Sequence, residues 1–303
     1  MKLADIILIP ALCLCLFSCA HKPLPEKDWD RIISSYHDDG VNVRYLELSE
    51  LNLALAETGR LGSDMFKYTQ AGPEGILPQW NRTEEAGIIA SDIYFSMGHI
   101  AYSQRMAQEA EVLSEKEYTP RMMERLIQTN ILFGAYPVAN KYIGILEADG
   151  YDCSKYKLFL YNDAAVEADP VLGPKKRCIP ARDRIALEGG IENDLKEIAR
   201  INPSHRITLE YLGAMYLLDC DMDSFKSMLD EFYGTEALPS LPKAFAEAAC
   251  MLSELDRNYW KQVGVSKKTF EQYRDFRSRL ENGLSQDKYK STFWYYIMRV
   301  NNQ

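Results

Sequence analysis

The sequence predicts an all-α fold, a solenoid of stacked helical hairpins that follows a cleaved signal segment. Three observations predict it. Apolar residues recur at helical spacing on both sides of single glycines, first in YLELSELNLALAETGRLGSDMFKYTQ and then in three later stretches. The first three of these hinge glycines, Gly59, Gly98 and Gly134, lie 39 and 36 residues apart, a period typical of helix-pair repeats. Alternation of apolar and polar residues is nowhere sustained beyond six positions, so strand content is expected near nil.

The chain opens MKLADIILIPALCLCLFSC, with Ile6 to Phe17 apolar apart from Pro10. That run is short of the roughly 20 residues a spanning helix needs and fits the apolar region of a secretory signal. It ends Leu16-Phe17-Ser18-Cys19, which resembles the lipobox of bacterial lipoproteins. The resemblance implies cleavage before Cys19 and diacylation of its thiol. Residues 1–18 are then the signal peptide, and Cys13 and Cys15 leave with it. Plain cleavage at another site and a short membrane anchor are the alternatives. A Cys-x-Cys metal site is disfavoured because no His or carboxylate accompanies the pair. Residues 19–40, beginning CAHKPLPEK, read as a lipidated tether and linker, with a loose helical stretch from Asp28 to Gly40. Neither an Asp after Cys19 nor an acidic cluster marks inner-membrane retention or surface export. The expectation is therefore the bacterial cell envelope, at the outer membrane on its periplasmic side.

Residues 41–303 form the expected helical-repeat domain: a first half 41–150, an irregular connector 151–194 and a second half 195–303. The first three units turn at Gly59, Gly98 and Gly134, because a left-handed glycine stops a helix. The fourth, RITLEYLGAMYLLDCDMDSFKSMLDEF, turns near Asp221. Its Leu212-Gly213 and Tyr216 stand where tetratricopeptide repeats place a small residue and an aromatic, and the unit resembles that repeat. Segments 71–82 and 167–183 are rich in Pro and Gly and read as long loops. After Pro239, helices are expected over Leu241–Leu255, Lys267–Asn282 and Asp287–Val300. The total is about eleven to thirteen helices.

The stretches NLALAETGRL, AGPEGILPQW, LYNDAAVEADPVLGP, INPSHRITLEYLGAMYLL and STFWYY are similar to the C-terminal region of a Bacteroidetes family. Its better-known members carry several membrane spans and a tetratricopeptide-like tail. The likeness covers roughly residues 41–300, and this chain departs from those members in lacking the spans. It implies a helical-repeat domain in a bacterial envelope. No activity is assigned to the family, so it supplies no catalytic residue.

The formal charge is −9, and removing Lys2 and Asp5 with residues 1–18 leaves it at −9. An acidic chain is a poor nucleic-acid binder, and no nucleic-acid partner is expected. HExxH, GxSxG, GxGxxG and P-loop patterns do not occur. His99 and His205 read as capping or loop residues. Asp219 to Asp223 resembles the start of a calcium loop, but Ser224 stands where the turn needs Gly. A helix cap by Asp221 or Asp223 is the simpler reading. Lys175-Lys176-Arg177 reads as a solvated basic cluster. No catalytic, cofactor or metal residue is assigned.

Cys153 and Cys178 flank the connector and are a candidate disulfide in an oxidising compartment, while Cys220 and Cys250 read as free thiols. Trp80 and Trp294 are candidate ligand contacts, since aromatic faces stack on sugars; the alternatives are a loop anchor for Trp80 and a core-sealing helix for Trp294. The functional expectation is a lipid-anchored interaction scaffold or adaptor for an envelope protein, without catalysis. The alternative is a lipoprotein that captures a peptide or glycan.

Overall fold

The computed structural model describes residues 21–38, 40, 43–116, 118–181 and 190–301. Cys13, Cys15 and Cys19, and with them the signal and lipidation expectations, lie outside the described residues. The described chain is all-helical: it contains seventeen α-helices, and its only β pairing is two isolated bridges. None of these helices is long and apolar enough to cross a membrane.

Helix α1 (Trp29–Ser35) is capped by Asp28, whose carboxylate accepts the Arg31 N–H at 3.0 Å. It leads to α2 (Tyr45–Glu57), α3 (Leu61–Asp64), α4 (Glu84–Ser96), α5 (Ile100–Leu113), α6 (Pro120–Leu132) and α7 (Tyr136–Ala148). Three short helices follow, α8 (Ser154–Phe159), α9 (Asp163–Ala168) and α10 (Leu172–Lys176). The chain then forms α11 (Gly190–Ile201), α12 (Ile207–Leu218), α13 (Met222–Phe232), α14 (Lys243–Leu252), α15 (Tyr259–Gln262), α16 (Lys267–Glu281) and α17 (Phe293–Asn301).

The hinges share one geometry. Gly59, Gly98 and Gly134 have φ of 67°, 84° and 71°, and Cys220 takes the same left-handed conformation at 58°. At each, the next residue's N–H reaches back five positions: Arg60 to Leu55 O, His99 to Tyr94 O, Ala135 to Asn130 O and Asp221 to Tyr216 O, at 2.6 to 2.9 Å. These are Schellman closures that satisfy the last carbonyls of one helix and launch the next. The fourth turn is thus made by Cys220, while Asp221 caps α13 by accepting the Ser224 N–H at 3.0 Å.

Packing follows from which faces are apolar. Helix α2 buries Leu48, Leu51, Leu53 and Leu55, and α12 buries Leu209, Tyr211, Leu212 and Leu217, so both are apolar nearly all round. Such helices must be enclosed, and the two pack together at the centre of the largest core cluster. On one side α4, α5, α6 and α7 stack on α2 in chain order; on the other, α3 and α12 carry α11, α13 and α14, with α16 and α17 outermost. The order in space therefore departs from the order in sequence, because α3 of the first unit lies against α12 of the fourth and against α14 beyond it. Small residues let α4 and α5 approach. Ser91 and Ser103 exchange hydroxyl-to-carbonyl hydrogen bonds at 2.9 Å, and a Cβ at Gly87 would stand 2.9 Å from that of Ala110. Gly213 likewise admits the edge of the Phe245 ring.

Three expectations are corrected. The second helix of the first unit is only α3 and a single 3-10 turn, because the Gln70 amide donates to the Met65 carbonyl at 2.7 Å and ends it. The connector 151–194 is not irregular where described. It folds into α8, α9 and α10, fixed by Tyr156, Phe159, Val166 and Leu172 in a second core cluster, and α11 begins at Gly190. The tether is also docked from Lys22 onward. Lys22 donates its N–H to Gly150 O at 2.7 Å, and its carbonyl accepts the Asp152 N–H at 3.0 Å. Leu24 packs against the second cluster, Pro25 O accepts from Arg121 at 3.4 Å, and Lys27 pairs with Asp92 at 3.2 Å.

Asp92 anchors that arm. Its carboxylate, almost fully buried, also meets Arg121 at 3.0 Å and Arg125 at 2.9 Å. Burial alone would raise its pKa, but Arg121, Arg125 and Lys27 outweigh burial and hold the group well below the usual carboxylate range. The Arg125 guanidinium lies 3.6 Å from the centre of the Phe95 ring, which adds a cation–π contact.

Candidate functional site

The C-terminal end of α4 joins the two halves. Its last carbonyls have no partner within the helix, and the connector and the second half supply them. Lys175 Nζ donates to Ser96 O at 2.7 Å, His205 Nε2 lies 2.8 Å from the same oxygen, and the Thr208 hydroxyl donates to Met97 O at 2.9 Å. Positive charge at a helix C-terminus is favourable. The cost is a buried lysine, and desolvation lowers Lys175 to about 8. Burial, reinforced by the Lys175 ammonium 3.0 Å away, lowers His205 to about 3 and keeps it neutral. Lys175 is thus a core residue rather than part of a solvated cluster, and Lys176 is tied to Asp163 at 2.7 Å. His205 is a loop residue between α11 and α12, and its side chain braces the seam.

Gly98 makes the junction tight. A Cβ there would stand 2.7 Å from Cys178 Sγ and 3.2 Å from the His205 ring. Beside it a cleft of about 490 Å³ opens between the halves, within the size range of ligand sites. Ile100 and Phe133 line it from the first half, Ile179 follows α10, and Ile198 and Ile201 come from α11. Phe133 and Ile201 remain 43% and 42% exposed, so the cleft has an open apolar rim. Asp194 and Glu197 give one edge an acidic character.

Cys178, His99 and Asp194 all touch this cleft, a set that invites comparison with a nucleophile, base and orienting acid. The hydrogen bonds describe a different arrangement. His99 is the N-cap of α5, and its Nδ1 accepts the Tyr102 N–H at 3.4 Å. Its Nε2 therefore carries the proton and donates to Asp194 at 2.9 Å. Both ring nitrogens are engaged. Cys178 Sγ accepts from Asn202 at 3.3 Å and donates toward Pro174 O at 3.4 Å, and burial raises the thiol pKa. A protonated thiol beside a committed imidazole provides apolar surface and no activated nucleophile.

A second, larger cleft of about 910 Å³ lies near the N-terminal side of α2 and the end of α17. Tyr45, Tyr68, Tyr295 and Tyr296 line it with Lys67 and Arg299. Trp294, expected as a ligand contact, is 1% exposed and packs among Tyr273, Phe276 and Tyr289. It seals the core, and its neighbours on α17 face the cleft instead. Trp80 is half-buried and lines neither cleft. Cys153 and Cys178 are free thiols in separate core clusters and do not form the expected pair. Among the described residues no three His, Cys, Asp or Glu side chains gather at metal-binding range.

Sequence reasoning missed Phe133, Asp194, Ile198 and Ile201. Phe133 carried one signal, an aromatic immediately before a hinge glycine. A family of unknown function, DUF6057, matches residues 23–299, and the chain belongs to that family. No curated protein and no solved structure matches the chain.

Proposed function

We propose that this member of the family is a lipid-anchored protein of a Bacteroidetes cell envelope that binds a segment of a partner protein and performs no catalysis. Its architecture is read as tetratricopeptide-like: helical hairpins closed by the same left-handed turn and arranged as two arrays on the α2–α12 centre. The anchor is Cys19, and the setting is the periplasmic side of the outer membrane.

One observation carries the binding reading. The seam between the arrays holds an apolar cleft with exposed Phe133 and Ile201, and its His99 and Asp194 side chains are already hydrogen-bonded to each other. Such a cleft gains by covering apolar side chains, at about 25 cal/mol per Å² buried. Its acidic edge favours a segment that also carries Lys or Arg. A photo-crosslinking residue at Phe133 or Ile201, in the native cell, should join the chain to one defined envelope protein. The same probe at the exposed Leu255 should not. Identical adduct patterns at all three positions would sink the reading.

Capture of a peptide or glycan is the second reading, supported by the tyrosines of the larger cleft. Tyrosine faces stack on sugars and hydroxyls bond them. Binding of glycan fragments that is lost in Tyr295→Ala would favour it.

A further inference from the structure

We propose that the α7–α8 end of the array lies against the lipid bilayer, with Leu158 and Tyr161 in contact with it; this rests on the reading of Cys19 as the lipid anchor. Only Ala20 and His21 separate Cys19 from Lys22, a reach of at most about 11 Å over three Cα steps. Lys22 is not part of a free linker. Its N–H and carbonyl are both bonded to the turn after α7, at Gly150 and Asp152, and its ammonium donates to Asp149 O at 3.2 Å. A lipid on Cys19 therefore holds one end of the fold close to the membrane rather than suspending the whole fold on a flexible leash.

That end bears the features of a membrane-contacting surface. Leu158, at the end of α8, is 69% exposed, and Tyr161 is 74% exposed. Tyr161 is also held at φ 59°, a conformation that bulky side chains seldom adopt. Its ring lies 4.6 Å from that of Tyr136, the first residue of α7, so two tyrosines stand together on the same α7–α8 layer, toward the opposite end of α7 from the Lys22 contact. Tyrosine favours the headgroup layer, where the ring meets apolar chains and the hydroxyl meets water. The charges nearby are internally matched, Lys155 to Asp169 at 2.9 Å and Lys157 to Glu147 at 2.6 Å. The surface thus offers little to anionic lipid and makes its contact through apolar and aromatic groups.

The test uses the full chain, processed in an acylating host and reconstituted in phosphatidylcholine vesicles carrying a headgroup nitroxide lipid. An environment-sensitive fluorophore is attached at Leu158→Cys or, for comparison, at Leu255→Cys in the α14–α15 turn, each with Cys220→Ser. Quenching severalfold stronger at position 158 than at 255 is expected. Equal quenching in protein whose acylation is verified by mass spectrometry overturns the orientation alone. An unacylated Cys19 overturns the anchor and the orientation with it.

Discussion

Trp294 donates its indole N–H to the backbone carbonyl of Glu247 at 2.7 Å, while the Glu247 carboxylate accepts the N–H of the adjacent Phe293 at 2.8 Å. One residue of α14 thus fixes the first turn of α17 through both backbone and side chain. A carboxylate at a helix N-terminus suits the helix dipole. This one is almost fully buried, and burial, only partly opposed by Lys243, pushes its pKa up to about 7.

The first prediction is a loss of stability as pH rises. A carboxyl with a folded pKa near 7 and an unfolded value of 4.5 binds more protons when folded. Its contribution therefore falls from about pH 4.5 up to about 7 and is level above that. Glu247→Gln keeps an acceptor for Phe293 and removes the titration. Urea unfolding from pH 5 to 8 should show the variant gaining on the parent, by on the order of 2–3 kcal/mol at pH 8. A constant difference across that range would refute the assignment. Asp92 acts in another window: its stabilisation is present above about pH 4 and lost as pH falls further.

The second prediction concerns the hinges. Cys220 is the only one of the four that bears a side chain, and the left-handed conformation costs an L residue about 1–2 kcal/mol. Cys220→Gly should therefore raise stability, by about 0.5–1 kcal/mol after the greater freedom of the unfolded chain is included. Gly134→Ala meets only the conformational penalty, since nothing lies within 4 Å of the added methyl. Gly98→Ala also drives that methyl into Cys178, and overpacking adds about 1–3 kcal/mol. Denaturant midpoints should rank Cys220→Gly, parent, Gly134→Ala and Gly98→Ala from most to least stable.

Local chemistry was readable in the sequence where it acts over a few residues. Glycine spacing marked three hinges, and the period of KKTFEQYRDFRSRLE placed α16 within one residue of its observed end. The all-round leucines of α2 showed a dense apolar helix but not its partner, because α12 lies far along the chain and no local pattern pairs them. Distance in sequence also hid the cleft, which joins Phe133 to Ile198 across the connector. Lys175 was misread for the opposite reason: the two residues after it are charged, and only the fold sets it on the Ser96 carbonyl. Trp294 showed the right apolar face, and the structure decided between ligand and core.

The third prediction is the state of the thiols. Cys153, Cys178 and Cys250 are buried and free, and Cys220 is half-buried in the larger cleft. A thiol reagent should modify Cys220 first in the native protein and the other three only after denaturation. Electrophoretic mobility should be the same with and without reductant. A reductant-dependent shift traced by peptide mapping to Cys153 and Cys178 would contradict the two-cluster packing.

The fourth prediction separates the strength of the Asp92 network from its role in holding the N-terminal arm. Asp92→Ala leaves Arg121, Arg125 and Lys27 facing one another in a buried site, and breaking such a network by removing one partner typically costs about 3–5 kcal/mol. Lys27→Met is different. Asp92 keeps both arginines, Glu50 is left near solvent, and the methionine stem still covers apolar surface, so the loss should stay under about 1 kcal/mol. The arm, however, loses its inner anchor. Hydrogen exchange at the Asp152 N–H, which is bonded to Lys22 O, should then accelerate while α12 amides stay protected. If Asp152 exchanges at the parent rate in Lys27→Met, the arm is held residue by residue, and the bond between Lys22 and the α7–α8 turn is sufficient by itself.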